Sequence, residues 1–137
     1  MRHYHYIFTG SGLSALMTVY EMVLSGKFED KTILLIDGNS KKTNDRTWCF
    51  WDEKDISPSI ISKKWETALF ADKNSQRKLL LNPYQYKMVK GLDFYNLVFN
   101  LIANHKNIHI SNQKVTDFKE LENHCVVKIE TESFTCD

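Results

Sequence analysis

Tyr4-His5-Tyr6-Ile7-Phe8-Thr9-Gly10-Ser11-Gly12-Leu13-Ser14-Ala15 is the stretch on which the fold of this chain turns. Residues 4–9 are aromatic and β-branched and stop at Gly10, the pattern of a short buried strand. From Leu13 the period changes. Leu13, Leu16, Met17, Tyr20 and Leu24 recur at helical spacing on one face, and Gly26 follows as a C-cap, which predicts a helix of about three turns. Residues 31–37, KTILLID, form a continuous apolar run before Gly38, as expected of a central parallel strand covered on both faces. Strand, helix and strand, with small residues at the first junction, make a Rossmann-type βαβ unit.

Gly10-Ser11-Gly12-Leu13-Ser14-Ala15 is a G-x-G-x-x-A sequence leaving a strand and entering a helix, the context that a dinucleotide fingerprint requires. Gly10 permits the tight turn, Gly12 lets the backbone approach a pyrophosphate, and Ala15 lets the helix sit close on the strand. The helix N-terminus then presents unpaired N–H groups and the positive end of its dipole. Asp37 closes the second strand, 22 positions after Ala15, where a carboxylate can accept hydrogen bonds from ribose hydroxyls; Gly38 follows it. A carboxylate there repels a 2′-phosphate, so NADP is disfavoured at this site and NAD and FAD both remain. The plainer alternative is a glycine turn beside an ordinary strand-end residue.

Beyond the fingerprint the chain reads as strands with one more helix. Residues 38–47 form a polar loop leading to the aromatic cluster Trp48, Phe50 and Trp51, read as a short strand whose rings are packing anchors. Residues 66–72 and 77–81 are expected to pair as a hairpin about the polar turn 73–76. Tyr84, Tyr86 and Met88 alternate with polar neighbours as a half-buried strand, and Gly91 hands over to a helix carrying Phe94, Leu97, Val98, Leu101 and Ile102. A β-rich stretch begins at Ile108 and Ile110 and is continued by Val115 and Phe118; residues 124–131 and 133–136 form a closing hairpin. The chain stops on a strand, which reads as the front part of a longer protein. Residues 1–137 are accordingly expected to be the N-terminal, incomplete portion of an FAD/NAD(P)-binding domain.

Composition removes several functions. The 137 residues are 42% hydrophobic and 12% aromatic, enough for a buried core, and 18 basic against 17 acidic side chains leave a net charge of +1. That balance lacks the basic footprint of a nucleic-acid binder. Cys49, Cys125 and Cys136 are widely spaced with no CxxC pair, so neither a disulfide framework nor a zinc site is expected, and a reducing cytoplasm fits. His3 and His5 have no third ligand nearby, and no metal is expected. No secretion signal opens the chain, and no apolar run reaches the roughly 18 residues of a spanning helix, so any membrane contact is peripheral. Lys41-Lys42 and Lys63-Lys64 read as solvated surface, and Arg46 as either a phosphate partner or a solvated side chain.

Four blocks in order, the G-x-G-x-x-A, the ILLID strand, DRTWCFW over residues 45–51 and YKMVKGLDFY over residues 86–95, resemble the N-terminal part of lycopene cyclases, the carotenoid-ring-forming flavoproteins. The resemblance implies an FAD-binding domain of the glutathione-reductase-like type with additional strands. Gly10, Gly12 and Ala15 would contact the pyrophosphate and Asp37 the adenosine ribose, with Ser11, Leu13, Ser14, Gly38, Arg46 and Thr47 as further candidate cofactor-binding residues. Val115 is placed by position alone as the backbone that meets the adenine. Many bacterial members carry a histidine before the Thr-Trp pair, where this chain has Arg46. The implied reaction protonates linear lycopene, closes a ring on the resulting carbocation and releases a proton, without net redox change. Reduced FAD would serve as the electrostatic partner and NAD(P)H as its reductant. The family's acidic motif lies beyond the residues represented here, so the catalytic residue is unknown and the chain alone is expected to be inactive. A redox flavoprotein of the same superfold, such as a monooxygenase or prenyl reductase, and a non-catalytic nucleotide-binding module are the alternatives.

Overall fold

The computed structural model describes residues 1–41 and 43–137; the expectation for Lys42 lies outside the described residues. In chain order the elements are β1 (Arg2–Tyr4), β2 (Tyr6–Thr9), α1 (Leu13–Ser25), β3 (Ile33–Ile36), β4 (Thr47–Asp52), a 3-10 turn (Pro58–Ile60), β5 (Ile61–Trp65), β6 (Thr67–Ala71), β7 (Gln76–Leu80), β8 (Gln85–Lys90), α2 (Gly91–Ile102), β9 (Ile108–Ser111), β10 (Val115–Glu120), β11 (Cys125–Ile129) and β12 (Ser133–Cys136). The chain divides into two compact units, one of residues 1–40 with 98–137 and one of residues 41–97.

The first unit is built on the βαβ element. β2 and β3 pair in parallel, Tyr6 opposite Ile33 through Thr9 opposite Ile36, and β9 adds in parallel on the other side of β3. The central position explains why all four residues of β3 are buried, as their unbroken apolar run requires. Gly26 ends α1 in the left-handed region, φ 64°, its N–H bonded to Val23 O. The buried face of α1 is Leu16, Val19, Tyr20 and Met22, whereas Leu24, expected on that face, is 57% exposed. The 3.6-residue period puts Val19 beside Leu16 and Tyr20, and the expected set, chosen by size, skipped it.

The strand expected over residues 4–9 is two strands. β1 pairs in parallel with β12 and β2 with β3, and the chain changes sheets at His5. His5 N–H donates to Thr32 O at 3.0 Å, and the Thr32 N–H donates to His5 Nδ1 at 3.0 Å, so the break is held on both sides. Similarly, β10 does not continue β9. It opens a second sheet, β1-β12-β11-β10, whose β10-β11-β12 part is antiparallel. Tyr4, Leu34, Ile36, Val127, Ile129 and Phe134 form a common core, with Ile7 and Val115 packed against it.

In the second unit β4 and β5 flank β8, both antiparallel to it, and β6 and β7 make the expected hairpin. The Asp72 carboxylate closes the hairpin turn by accepting the N–H of Asn74 and of Ser75, each at 2.7 Å, which holds it below the usual carboxylate range. The β8 alternation runs opposite to expectation: Tyr84 is exposed, Tyr86 and Met88 are half-buried, and Lys87 and Val89 are the buried pair. A lysine is buried because its ammonium is answered. Lys87 Nζ donates to Lys54 O at 2.7 Å and lies 3.0 Å from Asp55 Oδ1, whose other oxygen meets Lys64. Lys64, read as solvated, therefore belongs to an ion-pair group, and the two ammoniums hold the Asp55 carboxyl low, Lys64 first. Lys41 also departs from expectation, its Nζ lying 5.9 Å from the centre of the Tyr95 ring.

Of the expected aromatic anchors, Trp48 is half-buried, whereas Trp51 is 55% exposed. Trp48 meets Phe94 and Tyr95 edge-on at 5.5 and 5.6 Å, and Trp51 and Trp65 both lie against Tyr86. The segment before Trp48 caps α2: Asn44 Oδ1 accepts the Leu92 N–H, Arg46 O accepts the Gly91 N–H at 2.7 Å, and Tyr95 OH donates to Asp45. A Cβ at Gly91 would stand 2.8 Å from Arg46 O. Gly91→Ala is therefore expected to cost about 1–3 kcal/mol, the usual range for overpacking. A urea unfolding midpoint indistinguishable from wild type would refute this account of the cap.

Candidate functional site

The fingerprint lies where β2 runs into α1. Gly10 takes φ 124°, a conformation that side-chain-bearing residues rarely adopt, and its N–H donates to Ile36 O at 2.7 Å, tying the turn to the end of β3. Gly12 is the N-cap of α1, with φ −77° and ψ −175°, and no side chain caps the helix. The first turn carries no acidic residue that would repel an anion. Built Cβ atoms at Gly10 and Gly12 meet nothing within 4 Å, so the fold leaves open space over both glycines. Gly12 and Ser14 are exposed; Leu13 and Ala15 are half-buried.

Ser11 is turned the other way. It is 3% exposed, and both its N–H, at 2.7 Å, and its hydroxyl, at 3.0 Å, donate to Asp37 Oδ2. Asp37 Oδ1 accepts the Asn39 N–H at 2.8 Å, and Asp37 N–H donates to Ser111 O at 3.0 Å. The carboxylate expected to accept from a ribose thus also shapes the fingerprint turn. Its position at the mouth of α1, with an open glycine cradle beside it, fits a ligand carrying a pyrophosphate and a ribose.

Gly38 continues the site toward β10: a Cβ there would lie 3.6 Å from Lys114 Cβ. Gly38, Asn112, Gln113, Lys114, Thr116, Glu130 and Thr131 line an open groove of about 540 Å³. Val115 packs its side chain toward the core, and its neighbours Lys114 and Thr116 line the groove. Periodicity hid this groove, because residues 112–114 fall inside what read as one continuous β-rich stretch. The structure brings Gly10, Ser11, Gly12, Leu13, Ser14, Ala15, Asp37, Gly38 and Val115 into the first unit. Arg46 and Thr47 belong to the second, where the Arg46 side chain is exposed and its carbonyl is the α2 cap.

Among the described residues no three His, Cys, Asp or Glu side chains gather as a metal site. His3 instead bonds Thr135 Oγ1 and pairs with Asp137. No helix among them is long and apolar enough to cross a membrane.

A family model described as lycopene cyclase protein matches residues 6–135. A sequence search of curated proteins gave no match. Among solved structures, p-nitrophenol 4-monooxygenase PnpA from Pseudomonas putida DLL-E4 superposes with a TM-score of 0.62 at 11% identity, over 99% of this chain and 40% of that one. PqsL, a probable FAD-dependent monooxygenase from Pseudomonas aeruginosa, gives 0.68 at 8% identity over 97% and 40%. Halogenase PltM, in complex with phloroglucinol and FAD, gives 0.65 at 11% over 97% and 33%. At such identities the likeness is one of fold. The chain spans 40% or less of the length of these three structures.

Proposed function

Because this chain belongs to the lycopene cyclase family, we propose that it is the FAD-binding part of an enzyme that cyclises lycopene or a similar linear carotene. The observation that carries the cofactor reading is the open glycine cradle at the uncapped N-terminus of α1. We assign the surrounding fold to the glutathione-reductase type of Rossmann domain. Gly10 and Gly12 keep the backbone bare beside the pyrophosphate, and the first N–H groups of α1 donate to it. Asp37 holds the ribose while anchoring Ser11, and the groove from Gly38 to Thr116 receives the adenine end, Val115 offering main-chain contacts. Bound FAD, reduced by NAD(P)H, supplies negative charge near the cation that forms as the ring closes.

The family's reaction is an isomerisation, so reductant is needed to set the flavin and is not consumed by the product. Carotenoid substrates partition into lipid, and we place the protein in the cytoplasm with peripheral membrane contact. The β6–β7 hairpin supports the membrane contact, exposing Leu69, Phe70 and Leu80 at 61, 65 and 81% alongside Lys73, Arg77 and Lys78. Full-length protein given lycopene in detergent micelles is expected to form a ringed carotene only with reduced flavin. Product should accumulate well beyond the NAD(P)H oxidised. One NAD(P)H consumed per ring, or an oxygenated or saturated product, would replace the cyclase reading with a redox one.

A further inference from the structure

Cys125 and Cys136 lie directly opposite each other on the antiparallel strands β11 and β12. Side chains of alternate residues share a face, so both point the same way as Val127, Ile129 and Phe134, at the margin of the core. Opposed residues in such a pair have Cα atoms about 4.5–5.5 Å apart, inside the roughly 4.4–6.8 Å window of a disulfide. Their Cβ atoms need to approach by only about an ångström. Both residues are half-buried, open to a small oxidant but not to a large one, and both are free thiols here. The third cysteine, Cys49, is exposed and belongs to the other unit.

From this placement we propose that Cys125 and Cys136 are a reversible thiol–disulfide site that takes a small two-electron oxidant of the peroxide class. Burial, and then the neighbouring Cys125, push the Cys136 thiol up, and in the proposed step Cys125 attacks and Cys136 resolves. The Cys125 sulfur attacks a peroxide oxygen and breaks the O–O bond, giving a sulfenic acid and one water. Cys136 sulfur then attacks the sulfenic sulfur, forming the S–S bond and expelling hydroxide, which leaves as a second water with the Cys136 proton. The two sulfurs together lose two electrons and the peroxide gains them. A thiol reductant restores the pair. The bond joins β11 to β12 beside Tyr4 of β1, which pairs with Cys136, and β1 runs through His5 into the fingerprint strand.

The test is peroxide treatment of the purified protein, alkylation of remaining thiols, and tryptic mass mapping without reduction. Trypsin cuts after Lys119 and Lys128, so the bond would link peptide 120–128 to the peptide that begins at Ile129 and carries Cys136. The expected result is that linked pair, a loss of two free thiols, and full reversal by dithiothreitol. Cys49→Ser should leave the link intact, and Cys125→Ser should abolish it. A link from Cys49 to either residue, oxidation of Cys125 and Cys136 to separate sulfinic acids, or two thiols that stay reduced while a synthetic 120–137 peptide crosslinks would overturn the proposal.

Discussion

Gly12→Val is expected to abolish FAD binding while the protein still folds. The two halves of that expectation come from separate observations. Gly12 has φ −77°, which any residue adopts, and a Cβ there meets nothing within 4 Å, so the folded chain tolerates the side chain. Loss of a good N-cap typically costs about 1 kcal/mol. A ligand pyrophosphate seated on the α1 N-terminus would, however, meet two γ-methyl groups where the backbone is now bare. An affinity loss of about 100-fold or more, roughly 3 kcal/mol, is anticipated by flavin fluorescence titration, with circular dichroism unchanged. Gly10 offers no such clean experiment, because its φ of 124° strains any replacement. A folded Gly12→Val protein with wild-type affinity would remove the pyrophosphate from this turn.

Asp37→Ala is expected to fail in two ways. It strands the Ser11 N–H and hydroxyl, both buried and both donating to Asp37 Oδ2. Each unsatisfied buried donor costs roughly 1–3 kcal/mol, so the cofactor-free protein should lose stability before any ligand is considered. FAD affinity should fall by a further 1–3 kcal/mol or so if the carboxylate also holds the ribose. Asp37→Asn separates the roles. Its amide oxygen can still accept from buried Ser11, its NH2 then replacing the oxygen that accepts the exposed Asn39 N–H, so much of the stability returns while the charge is gone and the affinity deficit persists. Denaturant midpoints without FAD, set beside titrations with it, read the two effects apart. An Asp37→Ala protein as stable as wild type without FAD would show that the Ser11 contacts carry no weight.

The βαβ unit was legible because its determinants are local: a change of period at Leu13, a stop at Gly26, and an unbroken apolar run that only a central strand can bury. What local reading missed depended on partners far away in sequence. Residues 4–9 look like one strand, and only the backbone and ring contacts of His5 with Thr32 reveal the change of sheet. Lys87 looks like an outward residue until Asp55 and the Lys54 carbonyl supply its buried ammonium with acceptors. The cysteines look scattered at 49, 125 and 136, yet a hairpin between 125 and 136 brings two of them face to face. At the candidate site the glycines and Asp37 were readable from motif spacing. The second task of Asp37, and the groove beside Gly38, came from the tertiary arrangement alone.

The central claim is that this chain holds FAD by its ADP half, at the mouth of α1. Competitive flavin titration tests it most directly. For the full-length protein the account predicts quenching of FAD fluorescence that ADP reverses, and weaker binding of FMN, which lacks the adenylate that Asp37 and the Gly38 groove would hold. FMN bound as tightly as FAD, with no competition by ADP, would contradict it.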